Sequence, residues 1–302
     1  MELFRPESPQ GFSVVDVERY FANSSIEWRK IPFSDSERNL LESVMLREFL
    51  DTRTRPFFLY HFGPLIEKAV SVFFRHGTRP CILELGCGSG SVSILFALLG
   101  AKVVGIDLEA DLISACEKRR AFYERHFGSL DLLFCRANAF EFQYSRVGPV
   151  DGIYSLFAFN TMQPSAKLLA RVLPALKPGG KLVVSDGNRQ SLYNRLFRPR
   201  RVLTPHQMES ELIANGCRVV ETLFDCVVPP AACRIRPAFQ VGLKLEGLLK
   251  RVGVMPWLGV SYTIVAERLG DKGGIARERY EAPAEPRGSA SISKSKGDAG
   301  CT

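Results

Sequence analysis

The sequence predicts an α/β protein built on a parallel β-sheet that helices cover on both faces. Between Cys81 and Asp186, short apolar segments alternate with longer segments whose apolar residues recur at helical spacing. Such alternation is typical of parallel sheets with helical crossovers. Two other observations support this fold class. The first predicted strand is followed by a glycine-rich turn, and the second ends in a carboxylate. Right-handed crossovers place the carboxyl ends of the parallel strands at one edge, where ligands bind.

The apolar pattern sets the bounds of each predicted element. The predicted strands of this region are Cys81–Leu85, Lys102–Asp107, Leu130–Cys135, Gly152–Phe157 and Lys181–Ser185. The helices between them are Val92–Leu99, Glu109–His126 and Ala166–Leu176. Beyond Asp186, the pattern predicts a helix over Pro205–Ala214, a strand over Arg218–Phe224, an inserted amphipathic helix over Phe239–Val252 and a last strand over Gly259–Glu267.

The chain divides into three parts. Residues 1–55 are predicted to form an N-terminal helical cap, because Glu37–Phe49 carries apolar residues at helical spacing. Residues 56–269 form the main domain, which opens on the helical stretch Phe57–Phe74 with a break at Gly63-Pro64. Residues 270–302 contain one aromatic residue and are rich in Gly, Ala, Ser, Glu and Lys. This composition cannot bury a core and predicts a disordered tail.

The composition is that of an ordinary soluble globular protein. The 302 residues are 46% hydrophobic and carry a net charge of +8, which excludes a disordered chain or a fibre. The longest uncharged stretches contain Gly, Ser or Pro and argue against a transmembrane helix, and residues 1–6 lack the features of a signal peptide. Eight Cys without a Cys-x-x-Cys pair predict free thiols, a reducing cytoplasmic location and no metal site.

The most informative segment joins the first predicted strand to the next helix. Residues 84–90 read Glu-Leu-Gly-Cys-Gly-Ser-Gly. Glycines permit a tight turn and let backbone N–H groups approach a ligand, and the helix that follows adds the positive end of its dipole. A dinucleotide-binding fingerprint needs a glycine where this chain has Ser91, and no Gly-Lys-Ser/Thr of a P-loop follows. The pattern therefore argues against a pyrophosphate or nucleoside triphosphate site.

Two further segments narrow the interpretation. The second predicted strand ends in Asp107, 21 residues after Gly86, and a carboxylate there can accept hydrogen bonds from both hydroxyls of a ribose. Residues 176–180 read Leu-Lys-Pro-Gly-Gly, which predicts the end of a helix and a tight turn before the fifth strand.

This combination resembles the class I S-adenosylmethionine-dependent methyltransferases, of the small-molecule type that includes the quinone-biosynthesis methyltransferases. The resemblance covers Cys81–Asp186 well and Pro205–Glu267 loosely. It implies a Rossmann-like fold with a doubly wound, seven-stranded, mostly parallel sheet. It also implies S-adenosyl-L-methionine as the cofactor and methyl transfer by direct in-line displacement. Because proximity and orientation supply most of the acceleration in such a reaction, the sequence need not show a catalytic triad, and we predict no specific catalytic residue.

The resemblance also implies a set of cofactor-binding residues. These are Glu84, Gly86, Cys87 and Gly88 beside the amino-acid part, Asp107 at the ribose hydroxyls, Leu108 beside the adenine, Asn138 and Ala139 at the end of the third strand, and Ser155 beside the methionine moiety. The family usually has Asp where this chain has Asn138. An Asn carbonyl can accept from the adenine amino group without carrying a charge. Upstream of the glycine turn, Tyr60 or His61 either faces the site or packs within the cap.

The segments outside the shared core are expected to determine the acceptor. Five arginines follow the fifth strand, at positions 189, 195, 198, 200 and 201. A basic rim there suits an acidic or phosphorylated acceptor, or an anionic membrane surface. We therefore predict a small apolar or acidic organic acceptor, with the acceptor atom left open among O, N and C. Phe239–Val252 either lies in a membrane interface, which would make the protein peripheral to a membrane, or packs on the sheet.

The sequence is also compatible with two alternative functions. The positive charge would also suit RNA or protein methylation, but the fourth strand ends in Tyr-Ser-Leu-Phe rather than in the Asn/Asp-Pro-Pro-aromatic motif of many base N-methyltransferases. Nucleic acid is therefore ranked below a small amphiphile. The other alternative is a protein that binds S-adenosylmethionine without transferring its methyl group.

Overall fold

The computed structural model of the protein describes residues 3–43, 51, 54–75, 79–197, 203–228 and 235–270. Its centre is a seven-stranded sheet in the order β3-β2-β1-β4-β5-β7-β6. The strands are β1 Cys81–Leu85, β2 Lys102–Asp107, β3 Leu132–Arg136, β4 Val150–Leu156, β5 Leu176–Gly187, β6 Cys217–Asp225 and β7 Ser261–Arg268. Only β7 among these strands runs against its neighbours. This confirms the predicted doubly wound, mostly parallel sheet.

Helices connect the strands and cover the sheet. They are α1 Val14–Ala22, α2 Ser24–Lys30, α3 Asp35–Ser43, α4 Arg55–Phe73, α5 Ser91–Leu98, α6 Ala110–Phe127, α7 Ser165–Val172, α8 Leu192–Phe197, α9 Pro205–Ala214, α10 Arg236–Arg251 and α11 Met255–Leu258. Short 3₁₀ turns lie at Tyr144–Arg146, Phe159–Thr161 and Leu173–Ala175. None of the helices within the described ranges combines the length and the apolar composition that a bilayer crossing needs.

The sheet separates two apolar cores because alternate residues of a strand face opposite sides. On one side, Ile82, Val103 and Tyr154 pack with residues of α1, α2 and α4–α6. On the other side, Leu83 and Val104 pack with residues of α7 and α9. Burial on both faces explains why the strands read as nearly continuous apolar runs in the sequence.

The N-terminal helices lie against the first of these cores. Val17, Tyr20 and Phe21 of α1 and Ile26 of α2 are fully or almost fully buried there. The helix predicted over Glu37–Phe49 begins at Asp35 and is described as far as Ser43, and residues 44–49 lie outside the described residues. The predicted tail also lies outside them from residue 271 onward.

Two local predictions need correction. The expected break at Gly63-Pro64 is absent, because α4 continues through Pro64. Packing of buried Gly63 against Val14 of α1 accompanies this continuity, and tertiary packing can outweigh the lost hydrogen bond. The turn predicted at residues 176–180 lies inside β5, where the register moves from Val150–Leu176 to Gly152–Lys181. Residues 177–180, with Gly179 at a φ of +78°, stand opposite the single residue Asp151 of β4, so the turn interrupts the pairing of β5 rather than preceding the strand.

Candidate functional site

The glycine turn lies at the carboxyl edge of the sheet, between β1 and α5. Gly86, Gly88 and Gly90 all have left-handed backbone angles, with φ of +70°, +51° and +70°. The N–H groups of Gly86 and Cys87 donate to the carbonyl of Ile106 at 2.9 and 3.0 Å, which fixes the turn to β2. Left-handed angles strain any residue with a Cβ, so the sequence folds this way here because it carries glycine at all three positions.

The three glycines have different surroundings. A Cβ at Gly86 would clash with the Ala158 Cβ, and one at Gly90 would lie 2.7 Å from the ring of Phe134. A Cβ at Gly88 would have no heavy atom within 4 Å. Gly86 and Gly90 therefore permit close packing, whereas Gly88 borders open space at the edge of the sheet. This space is where a ligand could lie against the backbone of the turn.

Asp107 ends β2 beside this turn, as the sequence predicts. Its Oδ2 accepts a hydrogen bond from the Gly88 N–H at 2.8 Å, and its Oδ1 accepts one from the Glu109 N–H at 3.1 Å. The side chain is only half-buried. A carboxylate has about four lone-pair positions, so Asp107 keeps acceptor capacity for ligand hydroxyls. The following residue, Leu108, is 60% exposed and presents an apolar surface next to it.

Glu84 lies beneath the turn and is 3% exposed. The Ser93 hydroxyl donates to its carboxyl group. Burial raises the pKa of Glu84 to about 8 against the effect of this hydrogen bond, and the nearby Asp107 carboxylate raises it further. Glu84 is therefore mainly protonated at neutral pH. A cation bound close to it would favour the ionised form instead.

Cys87 is buried next to another thiol. The Cys116 thiol donates to the Gly88 carbonyl at 3.2 Å. A hydrogen bond with Cys116 and burial raise the pKa of the Cys87 thiol well above its usual value. A buried thiol with a raised pKa is a poor nucleophile, and Cys87 is 6% exposed. All six described cysteines are free thiols.

Asn138 and Ala139 follow β3 at the same edge. The Asn138 carbonyl Oδ1 accepts from the Phe140 N–H at 3.0 Å, and its amide donates to Glu141 at 3.3 Å. Asn138 thus stabilises its own turn, which leaves one carbonyl lone pair for the predicted adenine contact. Ala139 is buried, and its backbone carbonyl accepts from the Tyr144 hydroxyl at 2.6 Å.

Ser155 is fully buried at the end of β4. Its hydroxyl donates to the Leu85 carbonyl at 3.0 Å and so joins β4 to the last residue of β1. The side chain supports the glycine turn from behind and offers no exposed surface to a ligand. Its predicted place beside the methionine moiety would have to be filled by backbone atoms.

A buried ion pair, which the sequence analysis missed, holds the turn from the side of α6. Arg119 is 1% exposed and donates to both Glu27 of α2 and the Ser89 carbonyl of the turn. The Arg119 Nη1 also donates to the Ser91 hydroxyl at 2.9 Å, and the Tyr20 hydroxyl donates to the Ser91 carbonyl at 2.7 Å. The N-terminal helices therefore contact the candidate site through specific polar groups.

One local feature of the sequence indicates that Arg119 needs a buried partner. Arg119 lies three and four residues from Cys116, Ala115, Phe122 and Tyr123, all of which are buried on one face of α6. An arginine in the middle of an apolar helix face must find a buried partner. The partner itself, 92 residues away, has no such local signal.

Asp186 near the end of β5 was also missed. It is 5% exposed, and its carboxylate accepts from the N–H groups of Asn160 and Gly187 at 2.7 and 2.8 Å. Burial raises the pKa of Asp186 to about 6 in spite of these hydrogen bonds. The contacts fix the loop after β4 to the end of β5, so Asp186 shapes the site without reaching into it.

An aromatic cluster lies at the same edge, where α4 crosses the ends of β4 and β7. The His61 ring lies 5.2 Å from the ring of Phe157 and 5.4 Å from that of Phe57, and its Nε2 is 3.2 Å from the Ser261 hydroxyl. Phe157 has a left-handed φ of +54°. Non-glycine residues in that region are strained and often occur at functional sites.

Tyr60 lies next to His61 but has a structural role. Its hydroxyl accepts hydrogen bonds from the N–H groups of Val227 and Val228 at 3.0 and 3.3 Å, and its ring contacts Phe239 of α10. Tyr60 therefore joins α4 to the segment between β6 and α10. Of the two residues that the sequence analysis left open, His61 is the one that touches the strand ends around the turn.

Comparisons with known proteins agree with this arrangement. The sequence profile of a family described as "Methyltransferase domain" matches residues 58–222, more than half of the chain. The O-methyltransferase cnsE of Penicillium expansum is 29% identical over 125 residues, which are 41% of this chain and 44% of that protein. A ubiquinone biosynthesis O-methyltransferase of Bradyrhizobium sp. (strain ORS 278) is 25% identical over 204 residues, which are 62% of this chain and 71% of that protein.

Among solved structures, magnesium protoporphyrin IX methyltransferase (ChlM) from Synechocystis PCC 6803 with bound SAM has a TM-score of 0.52. It shares 14% sequence identity, and the alignment covers 78% of this chain and 99% of that one, which shows a common fold. The chain spans about half the length of the curated relatives that it matches first. Because the profile covers most of the Rossmann-like sheet together with the glycine turn and Asp107, this chain belongs to the methyltransferase-domain family.

Proposed function

We propose that this protein is an S-adenosyl-L-methionine-dependent methyltransferase that acts on a small apolar or acidic organic acceptor. The observation that carries the proposal is the contact of Asp107 with the N–H of Gly88, next to open space over that glycine. The names of the relatives support it, since two of them are O-methyltransferases and the solved structure of a third methyltransferase contains bound SAM.

The residues of the turn fit this cofactor. Open space above Gly88 leaves room for a ligand against the backbone, and Asp107 keeps acceptor capacity for two ribose hydroxyls. Exposed Leu108 offers an apolar surface for a base. The N-terminus of α5 and the Asp107 carboxylate place both signs of charge around the turn, as a ligand with a carboxylate and an ammonium group requires. Glu84 would add a second negative charge only where a bound cation favours its ionised form.

When bound, S-adenosyl-L-methionine supplies a methyl group already activated by its attachment to a sulfonium. The protein then has to position groups rather than form a covalent intermediate with the acceptor. Asp107 would orient the ribose through charge-assisted hydrogen bonds, which are roughly twice as strong as neutral ones. The turn held by Ile106, Arg119 and Ser155 supplies a rigid wall, so little has to reorganise when the ligand binds.

The acceptor side of the proposed site is the aromatic cluster around His61, in which Phe57 contacts His61 and Phe62 contacts both His61 and Phe157. Aromatic rings would hold an apolar acceptor and exclude water from the transfer. His61 is the titratable side chain of this cluster, and its Nε2 could take the proton of an acceptor hydroxyl or amine. The exposed Arg189 and Arg195 beyond β5 would attract an acidic acceptor.

Cofactor binding and methyl transfer can be tested separately. Calorimetric titration of the purified protein with S-adenosyl-L-methionine should give a one-site isotherm that Asp107→Ala weakens. Incubation with methyl-labelled cofactor and a cell extract should then move the label into the organic-solvent fraction. An absence of binding would refute the proposal, and label recovered in nucleic acid or protein would refute the small acceptor. Binding without any transfer would indicate a cofactor-binding protein that is not a methyltransferase.

A further inference from the structure

We infer that α8, α10 and α11 form a docking surface for an anionic phospholipid membrane. The inference starts from α10, whose residues Val241, Leu245, Leu248 and Val252 at its end are between 50% and 66% exposed. These positions are four, three and four residues apart. With 3.6 residues per turn, they lie within about 60° of one another around the helix. They therefore form one continuous apolar stripe on the outer face of α10.

The inner face of α10 is already attached to the protein. Glu246 is 5% exposed and accepts from the Val227 N–H at 3.1 Å, and Lys250 bridges it to Asp225 at the end of β6. A Cβ at Gly242 would lie 2.8 Å from the side chain of Val228, so the helix packs closely there. The apolar stripe points away from all these contacts. A helix that only packed on the sheet would bury its apolar face and expose its polar one.

Two neighbouring elements, α8 and α11, carry further exposed apolar residues. Trp257 of α11 is 63% exposed, and Leu192 and Leu196, one turn apart on α8, are 57% and 65% exposed. The Asn188 side chain, just before α8, donates to the Pro256 carbonyl of α11 at 2.9 Å, which holds the two helices together. We call the residues of this area the apolar patch; its members are Leu192, Leu196, Val241, Leu245, Leu248, Val252 and Trp257.

The charges around the apolar patch have one sign. Residues 187–197 and 235–260 contain six Lys and Arg residues and a single acidic residue, Glu246. Because Glu246 is buried and paired, the charges that reach solvent here are basic, including Arg195, Lys244 and Arg251. On the helical projection Lys244 and Arg251 lie next to each other along one side of the stripe. Exposed apolar side chains bordered by basic ones, with a tryptophan among them, match the interfacial region of an anionic bilayer.

This charge complementarity selects a lipid surface over a second copy of the chain. Two copies that met through this face would bring their exposed basic residues together without an acidic group on the patch to compensate. A bilayer containing anionic headgroups satisfies the basic residues and accepts the apolar stripe below them. The anionic headgroups then pair with the basic residues, which a second copy of this chain could not do without an acidic group on its own patch.

The apolar patch lies at the same edge of the sheet as the candidate site, so a membrane bound to the patch would lie close to that site. The element α8 follows β5 at Gly187, and α10 follows β6 at Asp225; both of these residues pair with Ser261 at the start of β7. This is the carboxyl edge of the sheet, which also carries the glycine turn and the His61 cluster. A membrane bound at the patch would therefore face the edge where the site lies. The inference itself needs no methyl transfer, and its test does not depend on turnover.

Vesicle co-sedimentation tests the surface. The full-length protein should sediment with vesicles of phosphatidylcholine and phosphatidylglycerol in equal amounts, and at least about tenfold less with phosphatidylcholine alone, because the basic rim needs anionic lipid. Leu245→Glu combined with Leu248→Glu should lower the bound fraction about tenfold or more. The matched control is Ile213→Glu, which changes a 54% exposed isoleucine of α9 near the opposite edge of the sheet and should bind like the wild type.

A second variant and a depth measurement complete the test. Lys244→Glu with Arg251→Glu changes exposed charges only and should also abolish sedimentation, even if the apolar variant fails to fold. Trp257 fluorescence should be quenched by lipids brominated in their acyl chains, and Trp257→Phe should remove that signal. Absence of sedimentation, equal binding to neutral and anionic vesicles, or wild-type binding by both variants would overturn the inference. Concentration-dependent self-association that the apolar variant removes, without vesicle binding, would instead assign the patch to a second copy.

Discussion

The Gly88 N–H donates to the Asp107 carboxylate at 2.8 Å across the gap between the ends of β1 and β2. Two neighbouring strands of a parallel sheet thus hold the glycine turn and its carboxylate at a fixed distance. Because the second oxygen of Asp107 is held by the N–H of Glu109, the carboxylate is oriented before any ligand arrives.

Asp107→Ala should weaken binding of S-adenosyl-L-methionine by about tenfold to a hundredfold, which is the loss of roughly 1–3 kcal/mol expected for charge-assisted hydrogen bonds. Calorimetric titration measures the change directly. Asp111→Ala, on the exposed first turn of α6, is the control and should leave the affinity unchanged. An affinity of Asp107→Ala equal to that of the wild type would contradict the assignment of the ribose site.

Gly88→Ala and Gly90→Ala should separate ligand binding from folding. Both place a Cβ at a left-handed φ, which costs about 1–2 kcal/mol. At Gly90 the new atom also meets the Phe134 ring and the Cys116 sulfur, so urea denaturation should show a further loss of about 1–3 kcal/mol. At Gly88 it enters open space, so cofactor affinity should fall more than stability. Equal effects of the two variants on both quantities would show that Gly88 does not border the ligand.

Arg119→Met should destabilise the fold by about 3–5 kcal/mol, because it leaves the Glu27 carboxylate buried without its partner. The double variant Arg119→Met with Glu27→Met should recover part of this loss in urea denaturation. Arg125→Ala changes an exposed arginine on the same helix and should stay within about 0.5 kcal/mol of the wild type. A double variant as unstable as the single one would show that the hydrogen bond to Ser89 outweighs the ion pair.

Glu84→Gln should change how stability depends on pH. Since the folded state raises the pKa of Glu84 from 4.5 to about 8, it binds more protons than the unfolded chain between these values. The favourable contribution is complete below pH 4.5 and is lost as the pH rises through about 8. The wild type should therefore lose up to about 1.4 kcal/mol per pH unit more than Glu84→Gln in this range. Urea denaturation across it measures the difference, and parallel curves would refute the raised pKa.

His61→Ala should lower turnover at least about tenfold if its ring takes a proton from the acceptor. The affinity for S-adenosyl-L-methionine should stay unchanged, because His61 contacts the ends of β4 and β7 rather than the glycine turn. The measurement uses the acceptor identified by label transfer, with the pH profile of turnover as a second readout. His126→Ala, on an exposed position of α6, is the control. Full activity of His61→Ala at all pH values would show that His61 takes no proton from the acceptor and only packs within the aromatic cluster.

The parts of the site that could be predicted from the sequence are those that depend on residues close together in the chain. The glycine spacing, the carboxylate after an apolar strand and the alternation of helices and strands follow from backbone geometry within a few residues, and the structure contains each of them. The bounds of β2 are those predicted, because a charged residue marks each end of its apolar run.

The contacts that cross long distances in the sequence were not predictable in the same way. Glu27 and Arg119 are brought together only when α2 packs on α6, and Asn160 meets Asp186 only when the loop after β4 folds over β5. Ser155 has the predicted place at a strand end, but its side chain turns into the sheet to reach Leu85, so a contact with the cofactor through its side chain was not predictable from that place. Position along a strand does not determine which atoms a residue presents to a ligand.

The ion pair between Glu27 and Arg119 bears on how this chain could be shortened. A fragment starting at residue 58, where the family profile begins, would keep the contact of Arg119 with the Ser89 carbonyl but would lose its counterion Glu27 together with the helices α1 and α2. Arg119 and the apolar residues of the first core that α1 and α2 cover would then be exposed to solvent, which would weaken the support of the glycine turn. The helices α1 and α2, which precede the family profile, thus contribute to the wall of the proposed binding site, and we expect a shortened protein that retains them to be more stable than one that starts at residue 58.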